Sequence, residues 1–360
     1  MTLAPPTTDA LADLLATLVD IPSVTGNEAE IAEFVHMRLR AHPNGEIHRR
    51  HHSLVWRGPS RGKPLVVLAG HLDTVPPNQN EKARRDGDRL YGLGSTDMKG
   101  GDAVMLALHE SLDPHALRFD LAMIFYEAEE GPAENNSLPK LLAELPWLRE
   151  ATLGILLEPT SGQVELGCNG TMNAEVRVRG VSAHSARPWT GVNAIEKAAP
   201  WLAEVTKFPV KTHSVLGVEY RETLQATTIR GGRARNVVPD EVVVNLNYRF
   251  PPHRTVADAE RVIRSLVPSE FETTIVDFAP PGLVCAGHPL VEEFVARFGA
   301  AKAGKQGWTD VARFTEAGIT AFNFGPGIPE LAHQRDEYCP VSGLATAYTW
   351  LREFLSEAPK

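Results

Sequence analysis

Two patterns of hydrophobic and polar positions divide the chain. Up to about residue 170, and again from about His288, short apolar runs alternate with segments in which apolar residues recur at helical spacing. The apolar runs include PLVVLAG, DLAMIFYEAEE and LGILLEP. Such runs are typical of strands that are buried on both faces, so they predict a mostly parallel or mixed α/β sheet sandwiched by helices.

Helical spacing is clearest near the N-terminus. It predicts one amphipathic helix over Thr8–Val19 and a second in TGNEAEIAEFVHMRLRAH, with its N-cap near Thr25 or Asn27. Further helical patterns are GGDAVMLALHESL and SLPKLLAELPWL. These segments would cover the faces of the predicted sheet.

The pattern changes near residue 170, where TMNAEVRVRGVSAHS alternates strictly between polar and apolar positions. A helix at Val192–Thr206, a pair of half-exposed strands, a helix at Val256–Val267 and the strand FETTIVDF follow. This order is typical of a compact, ferredoxin-like α+β unit. We therefore predict a discontinuous catalytic domain, 1–170 and 286–360, and an inserted domain, 171–285.

Charge and composition narrow the possible partners. The chain has 36 Lys and Arg against 45 Asp and Glu, a net charge of −9, and no long basic run. We expect neither a nucleic acid nor a membrane as partner. The three cysteines are scattered and odd in number, and the N-terminus lacks a signal-peptide pattern, so we expect a cytoplasmic protein.

Several apolar runs end in groups that can bind metal ions. These groups are His71, Asp73, Asp97, Glu129, Glu130 and Glu158, with His333 in a later Gly- and Pro-rich loop. Each alone has an ordinary explanation: an adjacent Glu pair is usually solvated, and Asp97 could cap a helix. Their joint occurrence at strand ends favours a shared site, because ligands of α/β sheets collect beyond the carboxyl ends of the strands.

The donor types suit zinc or another divalent first-row ion, with cobalt or manganese as substitutes, and leave enough carboxylates to bridge two ions. Asp73, two residues beyond His71, could hold the second ring nitrogen of that imidazole. Competing motifs are weak. GLGSTD lacks the third glycine of a dinucleotide-binding turn, and the sequence contains no G-x-S-x-G, HExxH or P-loop motif.

These residues resemble the dizinc aminoacylase and carboxypeptidase family called M20. The motifs that carry the resemblance are GHLDTVP, RLYGLGSTDMKGG, EAEEG, LEPT, SAHSARPWTGVNAI, NVVPDEVVVNLNYRF and GPGIPELAHQRDEY. They span residues 71–338 in the order found in the family. The resemblance implies that the inserted domain is the lid and dimerisation domain of the family.

By that resemblance, five residues bind two zinc ions and a sixth is the general base. His71 and Glu158 would bind one ion, Glu130 and His333 the other, and Asp97 would bridge both. Glu129 would take a proton from the attacking water and return it to the departing amine. The implied reaction is metal-dependent hydrolysis of an amide.

The resemblance also implies roles for residues of the inserted domain. His184 matches a histidine that reaches the active site of the other subunit, which implies a homodimer. Arg249 and Asn236 match positions that hold substrate carboxylates. Arg187 of the inserted domain and Arg313 of the catalytic domain are substrate-binding candidates by position only, and a structural salt bridge is an equal alternative for each.

Within the family, QGWTDVARF and LEPTSGQVELGCNGT are similar to the short-chain branch of succinyl-diaminopimelate desuccinylases, which act on a small N-acyl amino acid in lysine and cell-wall precursor synthesis. Cys168, Asn169 and Gly170 stand where the better-studied branch has an arginine pair. An N-acetylornithine deacetylase, a small-peptide carboxypeptidase and a non-catalytic binding relative remain alternatives. The presence of Glu129 with all five ligands counts against the last.

Overall fold

The computed structural model describes residues 4–41 and 45–356, which form two compact units. The first unit comprises the described residues of Met1–Leu166, Cys285–Ala303 and Thr309–Lys360. The second comprises Gly167–Val284 and the short segment Gly304–Trp308.

Nine α-helices lie within the described residues. They are α1 (Thr8–Asp20), α2 (Ala29–Leu39), α3 (Gly100–Ser111), α4 (Leu138–Glu144), α5 (Ala194–Val205), α6 (Val256–Leu266), α7 (Pro289–Phe298), α8 (Val311–Glu316) and α9 (Val341–Leu355). Shorter helical turns lie at Ser95–Lys99, Pro146–Glu150, Pro188–Thr190 and Pro329–Leu331. None of these helices is both long and apolar enough to cross a membrane.

The strands of the first unit lie mostly before residue 166. They are β1 (Glu46–Arg50), β2 (Ser53–Arg57), β3 (Leu65–His71), β4 (Arg84–Asp86), β5 (Arg89–Tyr91), β6 (Asp120–Tyr126), β7 (Leu153–Leu156) and β8 (Val164–Cys168). Those that follow along the chain are β9 (Gly170–Arg179), β10 (Ala183–His184), β11 (Lys211–Val215), β12 (Val218–Gly231), β13 (Val237–Val238), β14 (Glu241–Phe250), β15 (Glu272–Ala279), β16 (Lys302–Lys305), β17 (Ala321–Asn323) and β18 (Tyr338–Pro340).

The main sheet has the strand order β1-β2-β6-β3-β7-β17-β8-β16. Its four central strands, β6, β3, β7 and β17, are parallel, whereas β1, β2 and β8 pair antiparallel. The predicted mixed sheet between helices is thus confirmed. Helix α3 comes close to the residue that follows β7, since a Cβ atom on Gly101 would lie 2.4 Å from the carbonyl oxygen of Leu157.

The start of α2 differs from the prediction. The helix begins at Ala29 after Glu28, and no side chain caps it. The N-cap position is thus one residue beyond the predicted Asn27, and neither predicted side chain caps the helix. The Thr25 hydroxyl donates to the Asp73 carboxylate at 2.8 Å instead. The predicted end of this helix at His42 lies outside the described residues.

The second unit is an antiparallel sheet of order β11-β12-β14-β9-β15 with α5 and α6 packed on one face. The predicted ferredoxin-like succession of strands and helices is present. The edge strand β11 was not predicted, because KTHSV is short, mostly polar and carries little periodicity. Alternate residues of β9 and β14 fill the core beneath the helices and leave a polar opposite face.

Candidate functional site

Three neighbouring parallel strands deliver the polar groups of the first unit to one edge of its sheet. His71 is the last residue of β3 and pairs with Tyr126, the last residue of β6. The loop after β6 carries Glu129 and Glu130, and Glu158 follows β7 by two residues. Because the strands are parallel and adjacent, groups distant in sequence converge beyond their carboxyl ends.

His71 lies at the centre of this convergence and is 1% exposed. Its Nε2 atom is 3.3 Å from Asp97 Oδ1 and 4.0 Å from Glu158 Oε1. Its Nδ1 atom is 3.0 Å from the backbone carbonyl oxygen of Asp73 and 3.6 Å from the Asp73 carboxylate. Burial opposes protonation of this ring, but the hydrogen bond with Asp97 and the surrounding carboxylates raise the pKa of His71 well above its ordinary value.

His333 approaches the same carboxylates from the loop before β18. Its Nε2 atom is 2.8 Å from Glu130 Oε1 and 3.6 Å from Asp97 Oδ2. The hydrogen bond with Glu130 raises the pKa of His333 to about 9. Asp97 therefore has one carboxylate oxygen near each histidine.

The possible ligand atoms form three overlapping groups, each within 4.8 Å. The groups are His71, Asp97 and Glu158; Asp97, Glu130 and His333; and His71, Glu129 and Glu130. The structure brings together all five residues predicted to bind metal, and the first two groups share Asp97. Nitrogen and oxygen donors without a thiolate fit a divalent first-row ion.

Asp73 organises the loop that carries the two glutamates. Its fully buried carboxylate accepts hydrogen bonds from the backbone N–H groups of Glu129 at 2.9 Å and Glu130 at 3.0 Å, as well as from the hydroxyl of Thr25. Ala128, just before them, has a φ of 61° in the left-handed region. The carboxylate thus compensates two backbone donors of a tight, strained turn.

Glu129 occupies an environment unlike that of a surface carboxylate. Burial raises the pKa of Glu129 well above its ordinary value, and the neighbouring carboxylates of Asp310 and Glu158 add to this rise while His71 opposes it. A buried carboxyl group with increased proton affinity beside a cluster of potential metal ligands is typical of a residue that accepts and returns a proton.

Glu337 is a site residue that sequence reasoning missed. It is 1% exposed, and its Oε1 atom accepts the backbone N–H groups of Thr96 at 2.9 Å and Asp97 at 3.1 Å. Glu337 therefore fixes the segment that presents Asp97. The sequence did show an acidic residue in the HQRDEY motif. Its hydrogen-bond partners could not be predicted, because they lie some 240 residues earlier in the chain.

The residues predicted in the inserted domain do not form one cluster within the second unit. His184 pairs with Val237 across β10 and β13, the backbone of Ser185 donates to the Asn236 carbonyl at 3.0 Å, and Arg187 follows in the same exposed loop. Arg249 lies eight residues beyond Glu241, near the other end of β14, which is about 26 Å along an extended strand.

Arg313 and the turn at residues 168–170 both form hydrogen bonds or ion pairs within the protein. Arg313 Nη1 donates to Glu316 Oε2 at 3.1 Å, and its Nε is 3.9 Å from the carboxylate of Asp310. Asn169 is buried, and its amide donates to the backbone carbonyls of Arg221 and Gln306. Arg313 thus has the ion pairs of a structural residue, and Asn169 ties together segments of the second unit.

Fold and site together define a metal-dependent amidohydrolase. Residues 67–357 match the family model described as peptidase family M20/M25/M40, and the chain belongs to this family. This confirms the family resemblance found in the sequence.

The comparisons with individual proteins cover nearly the whole chain. A Mycobacterium tuberculosis protein provisionally named succinyl-diaminopimelate desuccinylase DapE is 41% identical over 345 residues, 95% of this chain and 97% of the relative. The succinyl-diaminopimelate desuccinylase of Corynebacterium glutamicum is 38% identical over 363 residues, 98% of each. The crystal structure of a Staphylococcus aureus tripeptidase aligns with a TM-score of 0.80 over 98% of both chains at 20% identity, which shows the shared fold.

Proposed function

We propose that this chain removes succinate from N-succinyl-LL-2,6-diaminopimelate, giving LL-diaminopimelate. The observation that carries this proposal is the arrangement of two histidines and two carboxylates around Asp97 with Glu129 beside them, in a chain 38% identical to the C. glutamicum desuccinylase over 98% of its length. Cys168, Cys285 and Cys339, which all lie within the described residues, form no disulfide bond, which supports a reducing, cytoplasmic setting.

The donor set supports a pair of divalent ions, with zinc preferred and cobalt or manganese able to replace it. His71 and Glu158 would hold one ion, Glu130 and His333 the second, and Asp97 would contact both. Four carboxylates packed against two imidazoles leave an excess of negative charge that cations would offset. When bound, the ions would polarise the amide carbonyl and acidify the attacking water.

The chain's own residues would move the proton. Glu129 accepts a proton from water at its carboxylate and delivers it to the nitrogen of the departing amine. Asp73 holds the loop through the backbone of Glu129 and Glu130, so the base and a ligand keep fixed positions relative to each other. The buried surroundings of Glu129 favour the protonated form that the second step requires.

Recognition of the substrate carboxylates would involve residues at both ends of the second unit. Arg249 and Asn236 would each bind a carboxylate, with Arg187 as a third candidate. Because Arg249 lies about 26 Å along β14 from the Glu241 end, near which Asn236 is placed, one small substrate cannot reach both residues of one chain. This separation supports a homodimer in which each site takes Asn236 and His184 from the second copy.

An exposed apolar surface near His184 supports the same assembly. Trp189 is 78% exposed, and Val181, Val192 and Ile195 of the second unit are about half exposed. Large apolar side chains grouped on a surface favour an interface. His184 of the second copy would then donate a hydrogen bond to the oxyanion that forms at the amide carbon.

Parallel assays test this proposal. The metal-loaded protein is given N-succinyl-LL-diaminopimelate and N-acetylornithine, before and after removal of metal by a chelator. Strong preference for the succinyl substrate, lost with the metal and restored on its return, is expected. Preference for N-acetylornithine would overturn the substrate assignment, and chelator-resistant hydrolysis would overturn the metal site.

A further inference from the structure

A chain of side-chain amides crosses the polar face of the second unit and ends at Arg249. Arg249 Nε donates to Asn247 Oδ1 at 3.1 Å, and Asn247 Nδ2 donates to Asn173 Oδ1 at 3.0 Å. Asn173 Nδ2 in turn donates to Asp277 Oδ2 at 3.3 Å. We call these residues, from Asp277 to Arg249, the amide ladder. It spans the three adjacent strands β15, β9 and β14.

The register of the sheet explains why these side chains meet. Asn247 and Arg249 are two residues apart on β14 and share a face, and Asn173 lies directly opposite Asn247 across the pair β9 and β14. Adjacent residues on both strands point into the hydrophobic core instead. A shift of one residue in either strand would bury the amides.

A β-bulge supplies the carboxylate that anchors the ladder. In β15 the register shifts between Ile275 and Asp277, so that Asp277 lies opposite Asn173. With regular pairing, Asp277 would oppose Met172, whose side chain belongs to the core. Bulges commonly redirect a side chain in this way.

The amide ladder uses one hydrogen-bond donor of the Arg249 guanidinium, and the remaining donors stay available for a ligand. Nε is bonded to Asn247, and the described residues provide no partner for the two Nη atoms. The side chain is largely withdrawn from solvent, and this burial lowers the pKa of Arg249. The two Nη atoms can form two parallel hydrogen bonds to a carboxylate when the plane of the group is fixed.

We propose that Asn247 and Asn173 are positioning residues that fix the Arg249 guanidinium for recognition of a substrate carboxylate. Asn247 bonds the Nε edge, Asn173 orients the Asn247 amide by accepting from it, and Asp277 orients Asn173. A fixed guanidinium loses less conformational entropy on binding a carboxylate. The inference rests on the proposed function, in which Arg249 binds a carboxylate of the substrate.

A double-mutant cycle tests the ladder through KM and kcat. Asn247→Ala is expected to raise KM about tenfold and to change kcat little, because it weakens ground-state and transition-state binding alike. In an Arg249→Ala background the same substitution should raise KM no further, because the two residues act as a unit. The matched control is Asn245→Ala, which removes an amide from the same strand and face that also bonds Asn173 but does not contact Arg249.

The outcomes separate a positioning role from a structural one. A tenfold rise in KM for Asn247→Ala that disappears without Arg249, with a KM near wild type for Asn245→Ala, supports the ladder. An equal rise in both backgrounds, or an unchanged KM for Asn247→Ala, overturns it.

A spectroscopic measurement keeps the ladder testable if the proposed substrate is wrong. The Nε–H resonance of Arg249, observed in arginine-labelled protein, should move or broaden in Asn247→Ala and stay in place in Asn245→Ala. A wild-type enzyme that hydrolyses no N-succinyl substrate would refute the proposed function, yet this shift would still support the ladder. An unmoved resonance in Asn247→Ala would overturn the ladder whatever the activity.

Discussion

The carboxylate of Asp73 accepts the backbone N–H of Glu129 at 2.9 Å, so a residue two positions beyond the end of β3 fixes the loop that carries the proposed base. Asp73 Oδ2 accepts the neighbouring N–H of Glu130 and the hydroxyl of Thr25. The buried side chain of Asp73 therefore positions the proposed ligand Glu130 and the proposed base Glu129 together. The backbone carbonyl of Asp73 contacts the ring of His71.

Replacing Asp73 with Asn tests this relationship. Asn offers one acceptor oxygen where Asp73 provides two, and its amide would face a backbone donor, so one of the three hydrogen bonds becomes a repulsive contact. We expect kcat to fall about 10- to 100-fold, as is usual when a partner of a metal-site residue is lost. Steady-state kinetics measure the fall, with Thr25→Val as a milder comparison that removes only the hydroxyl. Wild-type kcat in Asp73→Asn would contradict this role.

Glu129→Gln separates the role of a base from that of a ligand. The possible ligand groups include one with Glu129, yet we assign it the proton transfer. The substitution keeps the shape of the side chain and removes the proton acceptor, so we expect kcat to fall about 10²- to 10⁴-fold with unchanged metal content. Metal analysis and kinetics check both expectations. Glu127→Gln, two residues earlier, serves as control, and loss of metal from Glu129→Gln would reassign the residue as a ligand.

Glu337→Ala tests the support of Asp97. The substitution leaves the backbone N–H groups of Thr96 and Asp97 without their acceptor, so the segment should lose its fixed position. We expect the metal affinity to fall about 10- to 100-fold, measured by titration calorimetry of the metal-free protein. Glu330→Ala, an exposed glutamate in the preceding loop, is the control. Equal affinity in both variants would show that Glu337 does not support the site.

The convergence of the proposed metal ligands could be predicted from the sequence, because it depends on local sequence patterns and on the general geometry of parallel sheets. Apolar runs mark the strands, parallel strands lie side by side, and whatever follows them meets at one edge. This reasoning alone predicts that His71, Glu130 and Glu158 lie close together. Their assignment as ligands, like the roles of Glu129 and His184, stays a prediction until the metal-loaded protein is measured.

The remaining features depend on long-range geometry that leaves no periodic signal. The acceptor role of Glu337 exists only because the chain returns to residue 96 after some 240 residues. The bulge before Asp277 changes the face of a side chain without changing composition. The segment Gly304–Trp308 joins the second unit through side chains such as Gln306, whose amide donates to the carbonyl of Glu219 at 3.0 Å, and nothing in its sequence indicates that membership.

Mixing two inactive variants tests the proposed assembly. Glu129→Ala and His184→Ala should each be inactive alone. If His184 acts on the site of the second copy, a mixed dimer contains one site with both Glu129 and His184, so activity should return to about one quarter of wild type after subunit exchange. Activity assays over the time of exchange measure the recovery, with each variant incubated alone as control. Absence of recovery despite exchange would place His184 on its own chain's site or outside the reaction.

Glu222 couples the stability of the second unit to pH. Its carboxylate is 1% exposed and accepts hydrogen bonds from Tyr248, His213 and Arg254. Burial opposes ionisation, but these donors prevail and lower the pKa of Glu222 below its ordinary value of 4.5. A carboxyl group whose folded-state pKa is lowered contributes stability above its unfolded-state pKa, and that contribution is lost as the pH falls through the folded-state value.

Acid unfolding of wild type and Glu222→Gln tests this coupling. At neutral pH, Glu222→Gln should lower the free energy of unfolding by about 3 kcal/mol, because His213 and Arg254 lose a buried charged partner. Chemical denaturation at a series of pH values should show the stabilities of the two proteins converging as the pH falls below about 4.5 toward the lowered folded-state pKa of Glu222, where the wild-type carboxylate also becomes neutral. Glu219→Gln, an exposed glutamate on the same strand, is the control. A stability difference that is the same at pH 7 and pH 3 would show that the charge of Glu222 is not what stabilises the unit.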